Sequence, residues 1–198
     1  MDTSHFKVWP SRLPHRLDYP QVPLWEFLET SARRYPDKDA LIYYGRRLSY
    51  RLLWEQCLAL AGALHRIGIR RGDRVALYLQ NSPHYLVGYY GCLRADAVVV
   101  PVNPMLVEDE LVFLLTDCGA RAVITTSDLY PRVAAVVSRT PVETVIAGSY
   151  GDYLPAVPEV PLPPGMSGAF NPDGRAVPWR NVVEEKVYPP EPEAGPDH

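Results

Sequence analysis

The side chains of this 198-residue chain that could support nucleophilic, metal-binding or Schiff-base chemistry are few and scattered. The histidines are His5, His15, His65, His84 and His198. No two have the i, i+4 helical spacing of a metal site. Cys57, Cys92 and Cys118 are odd in number, far apart and without a C-x-x-C, so neither a zinc site nor a disulfide framework is expected. Each lies in an apolar helical pattern and reads as a buried free thiol. Lysine occurs only at positions 7, 38 and 186, all in peripheral settings. No G-x-S-x-G elbow is present to set up a serine nucleophile. Neither G-x-G-x-x-G nor G-x-x-x-x-G-K-[ST] occurs, so no glycine-rich loop can bring backbone amides against a phosphate. Arg71-Gly72-Asp73 lies between a helical pattern and a strand pattern and reads as a structural turn.

Two features remain site-like. Asn103, between Val102 and Pro104 at the end of an apolar strand pattern, is the polar residue best placed for a ligand contact. His84, near a helix start, could reach the strand-end crevice in which open α/β sheets bind ligands, although a locally bonded histidine is the plainer reading. Tyr78, Tyr85, Tyr89 and Tyr90 could line an apolar pocket, but their strand and helix spacing suits core packing first.

These residues depend on elements that the periodicity predicts. Residues 1–23 form an irregular arm with prolines at 10, 14, 20 and 23. Residues 24–35 predict a helix, with Leu24, Phe27, Leu28 and Ser31 at helical spacing and Pro36 as its stop. Residues 40–50 predict a hairpin turning at Gly45. Ser49 is the expected N-cap of a long helix with Leu53, Cys57, Leu60 and Leu64 as its buried stripe, closed by Gly68. The apolar runs at 74–79 and 97–102 suit strands buried on both faces. Ser82 and Pro83 open the helix between them as N-cap and N1, with Leu86, Tyr90 and Leu93 on one face. A helix over 108–117, a strand at 121–125, a helix over 128–138 and a strand at 143–148 complete the alternation. That rhythm predicts an α/β fold: a doubly wound, mostly parallel sheet with helices on both faces. From 149 to 198 the chain carries 11 of its 21 prolines and reads as a surface segment with a short helix near 179–185.

Composition narrows the function classes. A net charge of -3 and a pI near 5.9 argue against a general nucleic-acid binder. No stretch approaches the roughly 20 apolar residues of a membrane span. The N-terminus lacks a basic region followed by an apolar run, so a cytoplasmic protein is expected.

The order of these pieces resembles the opening of the adenylate-forming (AMP-binding) superfamily, acyl-CoA synthetases in particular. "LWEFLETSARRYPDKDALIYYGRRLSYRLLWEQ" at 24–56 resembles the family's first helix and hairpin. G-D-R-V at 72–75, N-S-P at 81–83, V-P-V-N-P at 100–104, E-L at 110–111 and D-C-G-A-R at 117–121 are specific as a set. "VPWRNVVEE" at 177–185 resembles the short tryptophan helix that precedes the family's nucleotide loop. Asp96 departs from the small residues common there, and Val107 from the usual Ser or Thr helix cap.

The resemblance implies an N-terminal subdomain at 24–148, then a proline-rich segment leading to a nucleotide-binding portion. It implies a parent enzyme that joins a carboxylic acid to CoA with ATP and Mg, none of which this chain is expected to bind as a cofactor by itself. Family members supply a Ser/Thr/Gly-rich loop ending in Pro-Lys-Gly and a C-terminal lysine; without such donors the chain is expected to be inactive alone. By the same resemblance, Val102, Asn103 and Pro104 are the residues expected on the CoA side. The expected partners are the remainder of the parent and, through apolar surface left exposed, a second copy of the chain. The alternative is a stand-alone, non-catalytic binding or interaction module derived from the same family. A flavodoxin-like cofactor binder is weaker, because its first strand-to-helix turn would need a phosphate loop.

Overall fold

The structure is a computed structural model that describes residues 4–164, 166, 170, 172–185 and 187–193. Its centre is a five-stranded parallel sheet formed by β3 (Arg74–Tyr78), β4 (Val98–Val102), β5 (Ala120–Thr126), β6 (Thr144–Gly148) and β7 (Val177–Pro178), in the order β4-β3-β5-β6-β7. The antiparallel hairpin of β1 (Asp39–Tyr43) and β2 (Arg46–Ser49) stands apart. Tyr44 and Gly45, both at positive φ, make its two-residue turn.

Consecutive residues of a strand face opposite sides of the sheet, and here both sides are apolar. Val75, Leu77, Ile124 and Ile146 enter one core, whereas Ala76, Tyr78, Val123 and Val145 enter the other. The first core is covered by α1 (Leu24–Arg34), α2 (Tyr50–Arg66), α3 (Pro83–Arg94) and α6 (Trp179–Glu184); the second by α4 (Glu108–Asp117) and α5 (Tyr130–Val136). The doubly wound α/β reading therefore holds.

The α2 helix follows its sequence signals. Ser49 Oγ accepts from the Leu52 amide, Leu53, Cys57, Leu60 and Leu64 are buried, and Gly68 takes φ +93° just beyond the end. Asp73 of the Arg-Gly-Asp turn accepts from the Arg70 amide and pairs with Arg121 at 2.6 Å, which confirms a structural turn.

Three expectations are corrected. In α1 the buried residues are Trp25, Leu28 and Ala32, whereas Leu24 and Phe27 are exposed, because the Trp54 ring of α2 stacks on Trp25 at 6.0 Å. In α3 the buried face is His84, Val87, Gly88, Gly91 and Cys92, and Leu86 is exposed. The small residues bring the helix axis close, so its large side chains lie beside the contact. Strand β4 is not buried on both faces but is the sheet edge, with Val98 and Pro101 exposed. Proline lacks the amide that a further strand would use, which suits an edge. Sequence reading also missed β7, a two-residue strand too short to show periodicity.

Two departures noted in the sequence have physical accounts. Asp96 sits at φ +57°, just past α3, a conformation that aspartate tolerates better than most residues. Its carboxylate accepts from the Glu193 amide at 2.6 Å. Val107 cannot cap α4 with its side chain; instead Glu110 reaches back to the Val107 amide at 3.0 Å, and three acids in the first turn suit the helix dipole.

The α2–α3 contact is the tightest helix pair to test. A methyl group on Gly91 would lie 2.7 Å from Leu60 Cδ2 and 3.1 Å from the Cys57 carbonyl oxygen. Alanine favours a helix by up to ~1 kcal/mol over glycine, but overpacking costs about 1–3 kcal/mol. Gly91→Ala is expected to lower the urea midpoint at unchanged m-value. A raised midpoint would show that the two helices can part freely.

Candidate functional site

Strand β3 leads to β4 on one side of the sheet, and β5 lies on its other side, so the connections diverge between β3 and β5. Open α/β sheets bind ligands at this divergence, outside the carboxyl ends of the strands. A crevice of about 370 Å³ lies there. Gln80 and Asn81 follow β3, Asp128 follows β5, and Tyr150 follows β6. Tyr43 and Tyr44 from the hairpin tip, with Pro163, Pro164 and Met166, form the remaining wall. Glu159 holds this wall to the hairpin: its amide donates to the Tyr44 carbonyl, and its side chain lies over Gly45, where any Cβ would come within 2.5 Å of it.

The polar floor is fastened internally. Thr126 Oγ1 donates to Asp128 at 2.7 Å, and Tyr150 donates its hydroxyl to the other carboxylate oxygen at 3.2 Å. Burial pushes the Tyr150 phenol up to about 12 and raises Tyr43 as well. Both rings stay protonated near neutrality, so they can stack on a ligand or donate to it but cannot act as bases. Among the described residues the crevice therefore offers binding groups and no activated nucleophile. Among the described residues, no group of three or more His, Cys, Asp or Glu could hold a metal ion. Burial raises the thiols of Cys57 and Cys92, which keeps them protonated and unreactive.

The sequence-derived residues lie elsewhere. Val102 is buried in the second core, and Asn103 is exposed. The Asn103 carboxamide accepts from the Met105 amide at 2.9 Å, closing a local turn. The Pro104 carbonyl lies 3.3 Å from the Tyr78 hydroxyl and 3.3 Å from Arg132 Nη1. Tyr78 and Arg132 also bind the Leu106 carbonyl, so the 103–107 loop is pinned from beneath. Crevice walls come from other residues. What would have flagged the crevice is strand order, which no local pattern carries.

His84 does not line the crevice, and its partner is not the local one expected but Asp152, 68 residues away. It is fully buried, packed against the rings of Tyr153 and Trp179 at 4.7 and 4.9 Å. Its Nε2 lies 3.2 Å from Asp152, and its Nδ1 is buried without a partner. Burial pulls its pKa down, and the bond to Asp152 restores only part. Burial pushes the Asp152 carboxyl up, but bonds from His84, the Ser149 amide and Arg180 outweigh this and hold it below the usual range. A protonated imidazole would leave a second N–H unbonded in an apolar core, so the pair is a neutral imidazole donating to a carboxylate. Ser82 is the expected N-cap residue of α3, yet its hydroxyl makes no cap bond and is buried without a partner.

This pair sets a pH dependence. Below the ordinary histidine value of 6.5, the unfolded chain binds a proton that the folded His84 resists. Stability should therefore fall as pH drops from 7.5 through 6.5, and fall further in strong acid as Asp152 is protonated. His65 is shifted in the same direction, so the difference between wild type and His84→Gln isolates the effect. Urea midpoints across that range should slope less in His84→Gln; equal slopes would refute the assignment.

Comparisons with known proteins come from three sides. Residues 28–169 match the family described as AMP-binding enzyme. The long-chain-fatty-acid–CoA ligase of Bacillus subtilis strain 168 is 37% identical over 147 residues, 74% of this chain and 26% of that protein. The corresponding protein of Salmonella typhimurium is 38% identical over 154 residues, 75% of this chain and 28% of its own length. Among solved structures, a long-chain-fatty-acid–CoA ligase of Archaeoglobus fulgidus superposes with a TM-score of 0.63 at 29% identity, over 66% of this chain and 28% of that one. The chain spans about a quarter of the length of the curated relatives it matches.

Proposed function

The chain belongs to the AMP-binding enzyme family, and we propose that it is the N-terminal α/β unit of an ATP-dependent acyl-CoA ligase. The observation that carries this reading is 37–38% identity to long-chain-fatty-acid–CoA ligases across three quarters of the chain. The parent would convert a carboxylic acid, ATP and CoA to acyl-CoA, AMP and pyrophosphate.

The described residues do not fit Mg·ATP. Asp128 sets a carboxylate in the crevice wall, which repels phosphate, and no acidic cluster is present among them for the cation. Of the two described lysines, Lys38 lies over the Tyr35 ring at 4.7 Å and Lys7 is in the N-terminal arm. Adenylation develops charge that needs preorganised cationic donors. ATP and Mg are accordingly assigned to the remainder of the parent, and this unit is proposed to be inactive alone. On the CoA side we place Val102, Asn103 and Pro104, at the end of edge strand β4.

The outer side of β4 is proposed to meet that remainder, or a second copy where the remainder is lacking. A groove of about 390 Å³ runs along it, lined in part by Tyr89, Leu93, Val98, Val99 and Pro101. Val98 is 47% exposed at the mouth of this groove.

A chimera tests the function. Replacing the matched quarter of the Bacillus subtilis relative with this chain should preserve ATP- and CoA-dependent thioester formation from fatty acids. The isolated chain should show no pyrophosphate exchange above background. A folded but inactive chimera would refute the ligase reading, and exchange by the isolated chain would refute its inactivity. Within the chimera, Asn103→Ala should raise the KM for CoA at unchanged kcat; an unchanged KM removes these residues from the CoA side. Sedimentation velocity of the isolated chain should show concentration-dependent association, and a monomer at every concentration would remove self-association.

A further inference from the structure

Residues 4–23 lie outside both cores, and none of them is buried. Large apolar side chains are nonetheless concentrated there: Val8 is 86% exposed, Tyr19 70%, Leu17 59% and Leu13 47%. Exposed apolar residues such as Met105, Phe113 and Val157 stand singly elsewhere on the surface and need no explanation, but a run of them within one short segment marks an interaction surface. The run is also basic. Lys7, Arg12 and Arg16 face a single acid, Asp18, over residues 4–23, so the arm carries +2 and the remaining residues carry -5.

The arm has a defined shape. Phe6 and His15 stack at 4.2 Å with their planes 8° apart, and Trp9 meets Phe6 edge-on at 6.0 Å. This aromatic cluster closes residues 6–15 into a loop, and the backbone bonds Trp9 N to Phe6 O and Leu13 N to Pro10 O tighten it. Pro10, Pro14 and Pro20 deny the arm a strand that could add to a partner's sheet and a continuous helix that could fill a protein groove. What it presents is mixed apolar and cationic side chains without regular hydrogen-bonding edges.

We propose that this arm docks on the surface of an anionic lipid bilayer, with Val8, Leu13 and Leu17 entering the headgroup boundary and Lys7, Arg12 and Arg16 facing the lipid phosphates. Apolar side chains gain by leaving water at that boundary, and Trp9 and Tyr19 are of the amphipathic kind enriched there. Each basic residue near an anionic surface strengthens binding about five-fold. The charge separation orients the chain, because the acidic remainder is repelled from the same surface. The arm lies on the membrane and does not cross it; among the described residues no helix is long and apolar enough to span one.

Flotation of the full chain with lipid vesicles tests this. The chain should float with phosphatidylserine-containing vesicles, more weakly at high salt, and not with vesicles of phosphatidylcholine alone. Replacing Lys7, Arg12 and Arg16 with glutamine should lower the partition coefficient on the order of a hundred-fold. Val8→Ser with Leu13→Ser and Leu17→Ser should abolish flotation. Both variants should keep the wild-type urea midpoint, since no substituted side chain is buried. Failure of the wild-type chain to float with anionic vesicles overturns the proposal, even if the arm captures a protein. Undiminished flotation of either variant overturns it too, because binding would then lie elsewhere.

Discussion

Side chains of β3, β5 and β6 alternate between two apolar cores, so each strand needs a helical layer on both faces. That requirement sends the connection after β3 one way and places β5 on the other side. Divergence of the connections opens the crevice between the ends of β3 and β5. Edge strand β4 is where the sheet runs out of partners, and its proline and exposed valine belong to that position.

A second, smaller constraint fixes the proline-rich segment. His84 from α3, Asp152 after β6 and Arg180 from α6 meet in one chain of hydrogen bonds. Beside it, Trp179 donates to the Tyr153 hydroxyl, which in turn bonds Gln56 of α2. Gly148 is required here because a methyl group would lie 2.8 Å from both His84 and the Trp179 Cβ. Four elements distant in sequence are tied at one buried point. The histidine's work is thus positional: it is neutral and enclosed, and it lies behind the crevice, meeting the Tyr150 ring edge-on at 6.5 Å. A buried polar network with every bond but the Nδ1 acceptor satisfied specifies one arrangement of these elements.

Among the described residues, those lining the crevice supply walls and no reactive group. Its tyrosines are held protonated by burial, its carboxylate is fastened by Thr126 and Tyr150, the Cys57 and Cys92 thiols lie elsewhere in the core, and Cys118, expected buried, is half-buried. Much of the fold was legible beforehand because its signals are local. Ser49 caps α2 where expected, Gly68 ends it, and the buried stripe of that helix is the one its spacing gives. For α3 the spacing misled, since hydrophobicity pointed to Leu86 and Tyr90 whereas close approach selected Gly88 and Gly91.

The crevice was not legible for a related reason. Tyr43, Gln80, Asp128, Tyr150 and Pro163 come from five separate segments, and no one of them has a distinctive neighbourhood in sequence. Periodicity, capping residues and turn glycines determined by themselves that the chain would be a doubly wound α/β unit, because each acts over a few residues. The tertiary structure alone decided which strand is the edge, which face of α3 is buried, and that His84 binds Asp152, 68 residues away. Those outcomes depend on how closely whole elements approach one another, and that distance is set by the packing of all their side chains at once.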